Sequence, residues 1–171
     1  LQRGYTPEQI TLIGDSAGGN LVLVAAQKLA ALKLPLPAAL VCFSPVTDMT
    51  AEQLHTPAAG DPLLHPSWLD SARDAYCPAG LSRADAMVSP LYGQLKGLPP
   101  LLLQVGEDEV LLNDSLRLAD AARAAGMDVR LERYAELWHV FQAHAGLLQA
   151  SNDALQRVVD FIDGAQADSV S

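Results

Sequence analysis

The stretch Ile10-Thr11-Leu12-Ile13-Gly14-Asp15-Ser16-Ala17-Gly18-Gly19-Asn20 decides how the chain is read. Residues 10–13 form an apolar run of strand length, and residues 17 to about 34 carry the small and apolar residues of a helix. Ser16 stands in the turn between them, flanked by Gly14 and Gly18. A Gly-x-Ser-x-Gly turn from strand to helix is the context of a nucleophile elbow, which exposes a serine hydroxyl at the top of a sheet. Gly14 and Gly18 are expected to remove side chains where strand and helix crowd together. The N–H of Ala17, at the helix N-terminus, is placed to face developing negative charge. A glycine-rich loop before a helix also serves as a phosphate cradle or a plain turn, so the rest of the chain has to decide.

Residues 38–43 and 101–105 are apolar runs of the same kind, as in strands buried on both faces. Residues 129–134 alternate apolar and charged side chains, the pattern of a strand nearer a sheet edge. Helical stretches follow at 114–125 and from about 146 to 162. Strand and helix alternating in this rhythm imply an α/β fold with a mostly parallel sheet and flanking helices. Residues 50–98 break the rhythm with many prolines and glycines around one weak helix, 67–76. This irregular excursion is expected to lie over the sheet and shape a binding site. Trp68, Tyr76 and Leu63 are candidates for its pocket wall, although helix packing explains them equally well. Residues 1–163 are thus expected to form the folded domain, with 164–171 a small, polar, flexible tail.

Composition narrows the function classes. Half of the 171 residues are apolar and 18% are charged, ordinary for a globular domain. The 20 acidic and 11 basic residues give a net charge of −9, and no basic stripe is present to neutralise a phosphate backbone, so nucleic acid is not expected as a partner. Lys28, Lys33, Pro35 and Pro37 interrupt the longest apolar run well short of the roughly 20 residues of a membrane helix. A soluble, cytoplasmic protein with no membrane partner is expected. Cys42 and Cys77 have no metal-site or disulfide spacing and read as buried free thiols. The chain opens on Leu1 without the features of a signal peptide, which leaves upstream processing or truncation open.

A serine nucleophile needs a base and an acid. Among His55, His65, His139 and His144, His139 follows the 129–134 strand after a short connection, where an elbow serine's base belongs. His144 reads as inside or leading into the last helix, and His55 and His65 as substrate-side wall or solvent. Glu107, Asp108, Glu109 and Asp114 follow the 101–105 strand, and composition does not choose among them. Asp114 is placed to cap the next helix, and Glu107 to face water. The string is also similar to the Gly-Asp-Ser-Gly-Gly around trypsin-like nucleophiles, but there histidine and aspartate precede the serine, and only 15 residues precede Ser16.

Gly14-Asp15-Ser16-Ala17-Gly18-Gly19-Asn20, Ser44-Pro45-Val46-Thr47-Asp48, Ser89-Pro90-Leu91, Leu98-Pro99-Pro100 and Trp138-His139-Val140-Phe141 occur in one order along nearly the whole chain. Together they resemble the C-terminal part of the hormone-sensitive-lipase-like (bacterial family IV) esterases of the α/β-hydrolase fold. The resemblance implies Ser16 as nucleophile, His139 as base and Ala17 N–H as one oxyanion donor. The family's Asp-Pro-Leu-Arg-Asp motif, laid on Leu111-Leu112-Asn113, puts the acid on Glu109. Glu stands there in place of Asp, and neighbouring Asp108 remains the alternative. Asp61-Pro62-Leu63 mimics the motif but falls inside the excursion, and reads as a turn initiator.

The resemblance also implies an upstream half with a His-Gly-Gly-Gly oxyanion loop that this sequence does not contain. A chain without it is expected to be weakly active or inactive alone. It is also expected to self-associate through the unpaired edge of the first strand, or to pair with the upstream half. The implied activity is hydrolysis of short- to medium-chain carboxylic esters through an acyl-enzyme, with a small-molecule ester as substrate and no metal or organic cofactor. An amidase or peptidase with the same triad, and a non-hydrolytic small-molecule-binding relative, are the alternatives.

Overall fold

A computed structural model describes residues 4–168. Four parallel strands form one sheet in the order β1 (Thr11–Asp15), β2 (Ala39–Phe43), β3 (Leu101–Gly106), β4 (Val129–Tyr134). Each apolar run of the sequence is a strand, and the alternating one is β4 at an edge. Helices α1 (Ala17–Ala31), α2 (Pro66–Tyr76), α3 (Leu112–Ala124) and α4 (Gln149–Asp168) complete the described chain.

The two faces of the sheet divide by the period-two alternation of the central strands. Leu40 and Cys42 of β2, with Leu101 and Leu103 of β3, pack against Leu23 and Ala26 of α1 and Leu118, Ala119 and Ala122 of α3. Val41 and Leu102 point the other way, to Val158, Phe161 and Ile162 of α4. β2 and β3 are thus buried on both faces. β1 is covered on one face by α1 and is unpaired along its outer edge among the described residues, and Ile13 remains 50% exposed.

Several boundaries differ from the sequence expectation for identifiable reasons. α1 stops at Ala31 because Lys33 turns left-handed (φ 54°) and Pro35 and Pro37 follow. α4 begins at Gln149, since Gly146 takes φ 85° and its N–H donates to Asn152 Oδ1 at 2.8 Å, which delays the helix start. At the other end α4 runs on to Asp168, so residues 164–168 continue a helix where fraying was expected; 169–171 lie outside the described residues. Cys42 is buried and Cys77 half-buried, and both are free thiols. Burial alone raises the Cys42 thiol pKa.

The excursion builds a small core of its own. Val46, Met49, Leu69 and Val88 pack with Val110 and Leu111 of the loop after β3, so the excursion rests on that loop. The Asn20 amide of α1 donates to Val46 O and Val88 O at 2.9 and 2.8 Å, tying the elbow helix to the loop after β2 and to the later part of the excursion.

Candidate active site

Register places the chemistry. Asp15 pairs with Phe43, Phe43 with Gln104, and Gln104 with Glu132, so the carboxyl ends of all four strands line one edge of the sheet. Residues in the loops just beyond those ends, Ser16, Ser44, Glu109 and His139 among them, therefore gather in one region, where open α/β sheets bind ligands.

Ser16 occupies the turn between β1 and α1 with φ 52° and ψ −116°, a conformation non-glycine residues rarely adopt. Its N–H donates to Phe43 O at 2.8 Å, and its carbonyl accepts from Val46 N–H at 3.1 Å and Asn20 N–H at 3.2 Å. Those bonds over-determine a strained backbone, as such strain requires. Gly14 is needed here, since a Cβ would sit 2.3 Å from Gly18 O. The expectation for Gly18 is corrected: a Cβ there meets only Asp15 Oδ1 at 3.9 Å, whereas one on Gly19 would meet Pro45 Cβ at 2.7 Å. The second crowded contact is between α1 and the chain leaving β2. Ala17 is the first residue of α1, where helix geometry leaves the N–H without an intrahelical acceptor.

His139 follows β4 and is 6% exposed. Its Nδ1 lies 3.1 Å from Glu109 Oε1. Glu109 is wholly buried, and its Oε2 accepts from Ser44 Oγ at 2.7 Å and from Gly106 N–H at 3.0 Å. Asp108 is not brought to His139; it is half-buried, and its backbone N–H donates to Leu137 O at 2.9 Å. Gly106 lets the two loops meet, because a Cβ on it would lie 2.2 Å from Leu137 O. Glu107 does not merely face water but pairs with Arg133 of β4 at 2.8 Å.

The remaining candidates fall elsewhere. Asp114 does not cap α3: its Oδ2 accepts from Thr47 and Asp48 N–H at 2.7 and 3.0 Å, joining α3 to the strand-end loop after β2. Burial pushes its carboxyl up to about 6. His144 ends a 3-10 turn, Phe141–His144, ahead of α4 and meets Trp138 edge-on. His65 caps α2 by accepting from Ser67 N–H, and is exposed. Asp61 does initiate a turn, accepting from Leu63 and Leu64 N–H, and its other oxygen accepts from Val110 N–H at 3.0 Å. His55 N–H donates to Val110 O at 2.9 Å, so the excursion grips the residue after Glu109 on both sides.

An apolar hollow, open to solvent, lies beside Ala17. Val46, Met49, Leu54, Leu69, Ala72 and Leu111 form most of its wall. Tyr76 lines it as anticipated and donates to Asn20 Oδ1 at 3.3 Å, while Trp68 and Leu63 are exposed and lie outside. Asp48, at the rim, is raised in pKa by burial, but hydrogen bonds from Thr50 and Arg117 outweigh this and leave it lowered. Sequence reasoning missed two positions that organise the site, Ser44 and the cross-loop role of Asp61. A polar residue ending an apolar strand, Ser44 after 38–43, was the available signal for the first.

Among the described residues no helix is long and apolar enough to cross a membrane, and no group of three or more His, Cys, Asp or Glu could hold a metal ion.

Comparison with known proteins agrees with this fold. The α/β-hydrolase-fold family model matches residues 2–143. The chain is 37% identical to an acetyl-hydrolase of Streptomyces hygroscopicus over 99% of its own length and 57% of the relative's. It is 33% identical to an esterase of Acinetobacter venetianus, covering 98% and 56% respectively. Among solved structures it superposes on an esterase from the bacterial hormone-sensitive lipase family with a TM-score of 0.91 at 41% identity, covering 96% of this chain and 56% of that one. An esterase/lipase from an uncultured bacterium gives a TM-score of 0.90 at 36% identity, covering 97% and 56%. The chain therefore spans a little over half the length of the relatives it matches, and it belongs to the hormone-sensitive-lipase-like branch of the α/β-hydrolase-fold family.

Proposed function

We propose that the protein is a serine carboxylic ester hydrolase in which Ser16 is the nucleophile, His139 the base and Glu109 the acid. The observation that carries the reading is the buried His139–Glu109 pair, 3.1 Å apart, at the same sheet end as a strained serine elbow. A carboxylate only accepts, so Nδ1 of His139 carries the proton facing Glu109 and Nε2 is left to face the serine.

His139 takes the Ser16 proton as Oγ attacks the ester carbonyl, and the tetrahedral oxyanion receives the Ala17 N–H. Collapse breaks the ester C–O bond, and His139 returns the proton to the departing alcohol. Water, deprotonated by the same imidazole, then cleaves the acyl-serine and regenerates the hydroxyl. Rate falls as acid protonates the imidazole. The apolar hollow beside Ala17 suits a short- to medium-chain acyl group. Further oxyanion donors come, in this reading, from a glycine-rich segment of the longer protein, as the family resemblance implies.

The test uses the full-length protein with p-nitrophenyl esters, matched anilides and a phosphonate probe. Labelling of Ser16 and ester turnover abolished by Ser16→Ala are expected. Faster anilide than ester cleavage would make it an amidase. Absence of labelling and turnover would leave a small-molecule-binding protein.

A further inference from the structure

We propose that Ser44 is a positioning residue that holds the triad's carboxylate and its histidine loop in one geometry, an inference resting on the triad reading above. Ser44 directly follows β2, is wholly buried, and takes φ 46°. Its N–H donates to Gln104 O at 2.9 Å, so its backbone is an extension of the sheet. Its hydroxyl lies 2.7 Å from Glu109 Oε2 and 3.3 Å from Val140 N.

Donor and acceptor types leave one arrangement. The carboxylate accepts and the main-chain N–H donates, so Ser44 O–H donates to Glu109 while Val140 N–H donates to Ser44 Oγ. One hydroxyl thereby connects the acid to the residue immediately after the base. Gly106 N–H is the second donor on Oε2, at 3.0 Å. Two donors on Oε2 fix the carboxylate's rotation and leave Oε1 turned to Nδ1. Val140 itself has φ 50°, unfavourable for a β-branched residue, and the Ser44 bond helps keep the chain there.

The backbone of the same segment holds the nucleophile, since Ser16 N–H donates to Phe43 O, one residue before Ser44. All three triad residues are thus referred to one strand end. An alanine would nearly fill the same space, but it would leave the half-buried Val140 N–H without its acceptor and Glu109 Oε2 with one donor. The hydroxyl also draws negative charge toward Oε2. Without it, Oε1 becomes a stronger acceptor and the imidazole a stronger base. The other charged groups nearby, Glu107 with its partner Arg133, and Asp108, are unchanged by a substitution at Ser44.

The experiment compares Ser44→Ala, Ser44→Gly and Ser44→Cys with the parent in the full-length protein, by steady-state p-nitrophenyl ester hydrolysis across pH and by thermal unfolding. We expect kcat to fall about 10- to 100-fold in the alanine and glycine variants alike, as displacement of a catalytic group by about 1 Å would produce. KM should stay within about twofold, the acid limb of the pH profile should move to higher pH, and cysteine should restore part of the rate. A normal rate and limb in both alanine and glycine variants would overturn the proposal. So would a loss that tracks unfolding with the limb unmoved, or recovery by glycine alone, which would assign the effect to backbone strain. Ser16→Ala in parallel separates the two readings: activity surviving there removes the triad and this inference with it, whereas inactivity there beside a normal Ser44→Ala removes this inference only.

Discussion

Nδ1 of His139 meets Oε1 of Glu109 at 3.1 Å, while Asp108, one position earlier, meets the histidine loop only through its backbone N–H to Leu137 O. The loop path after β3 therefore gives two adjacent carboxylates different surroundings. Glu109→Gln keeps the shape but loses the charge that orients and stabilises the imidazolium, and kcat should fall by about 10³- to 10⁴-fold. Asp108→Asn should stay within about threefold of the parent, because a mild change at a half-buried group with no side-chain partner leaves the pair intact. Steady-state ester hydrolysis by the two variants, side by side, checks both; a larger loss at Asp108 would transfer the acid role to it.

Gly106→Ala would force a methyl group to within 2.2 Å of Leu137 O, where the loops carrying acid and base touch. One loop must move, and the move is at backbone level. We expect a loss of stability of about 1–3 kcal/mol with a fall in activity larger than that loss explains. Urea denaturation together with activity measured well below the unfolding transition distinguishes the two effects.

Asp114 gives a pH signature with a defined sign. Its carboxyl titrates near 3.8 when unfolded and is pushed up to about 6 by burial in the fold. Between those values the folded state holds a proton that the unfolded chain has released, so stability from this group is present below pH 4 and is lost as pH rises to 6. At 1.36 kcal/mol per unit the loss is roughly 3 kcal/mol. Denaturation of the parent and of Asp114→Asn at pH 4.5, 5.5 and 7 should show the variant gaining relative stability with rising pH. A constant difference between them would contradict this assignment.

Asp61→Ala removes the acceptor for Leu63, Leu64 and Val110 N–H together. At about 0.5–1.5 kcal/mol for each bond, residues 50–98 should become more readily cleaved by protease, and activity should fall several-fold as the Glu109 loop loosens. Limited proteolysis before and after the substitution measures the first.

The outer edge of β1 is unpaired among the described residues, with Ile13 50% and Leu21 56% exposed nearby. Unpaired apolar edges recruit other strands. These 171 residues produced alone should elute above their 18.1 kDa mass, and Ile13→Lys should shift them toward monomer in size-exclusion chromatography.

How much of this was legible depended on the range of the interactions involved. β2 and β3 could be read because strands buried on both faces must be apolar throughout, and β4 because it mixes charged residues with apolar ones, Arg130 and Arg133 being exposed. The elbow was legible because Gly14, Ser16 and the start of α1 are local to one another. Glu109 could not be chosen from composition, since the choice depends on Gly106 N–H and Ser44, the latter 65 residues away. Gly18 was expected to be the crowded glycine and Gly19 was given no role, for the same reason: Pro45, which crowds Gly19, belongs to another strand end. The end of α4 was misjudged because small polar residues continue a helix readily once its earlier turns are packed.

The double grip on Val110 gives the excursion a fixed base beneath a more exposed span. His55 and Asp61 hold its early part, and Gln27 of α1, donating to Pro90 O at 2.8 Å, holds its far end. Between those anchors Leu69 and Val88 pack with Val110 and Leu111, so they are tied to the loop that carries the carboxylate, while the exposed positions of α2 can change without touching it. One side of the hollow, where Ala72 and Tyr76 of α2 line it, is in effect an exchangeable panel, and directed evolution confined to those positions should retune which esters fit while leaving the chemical step as it stands.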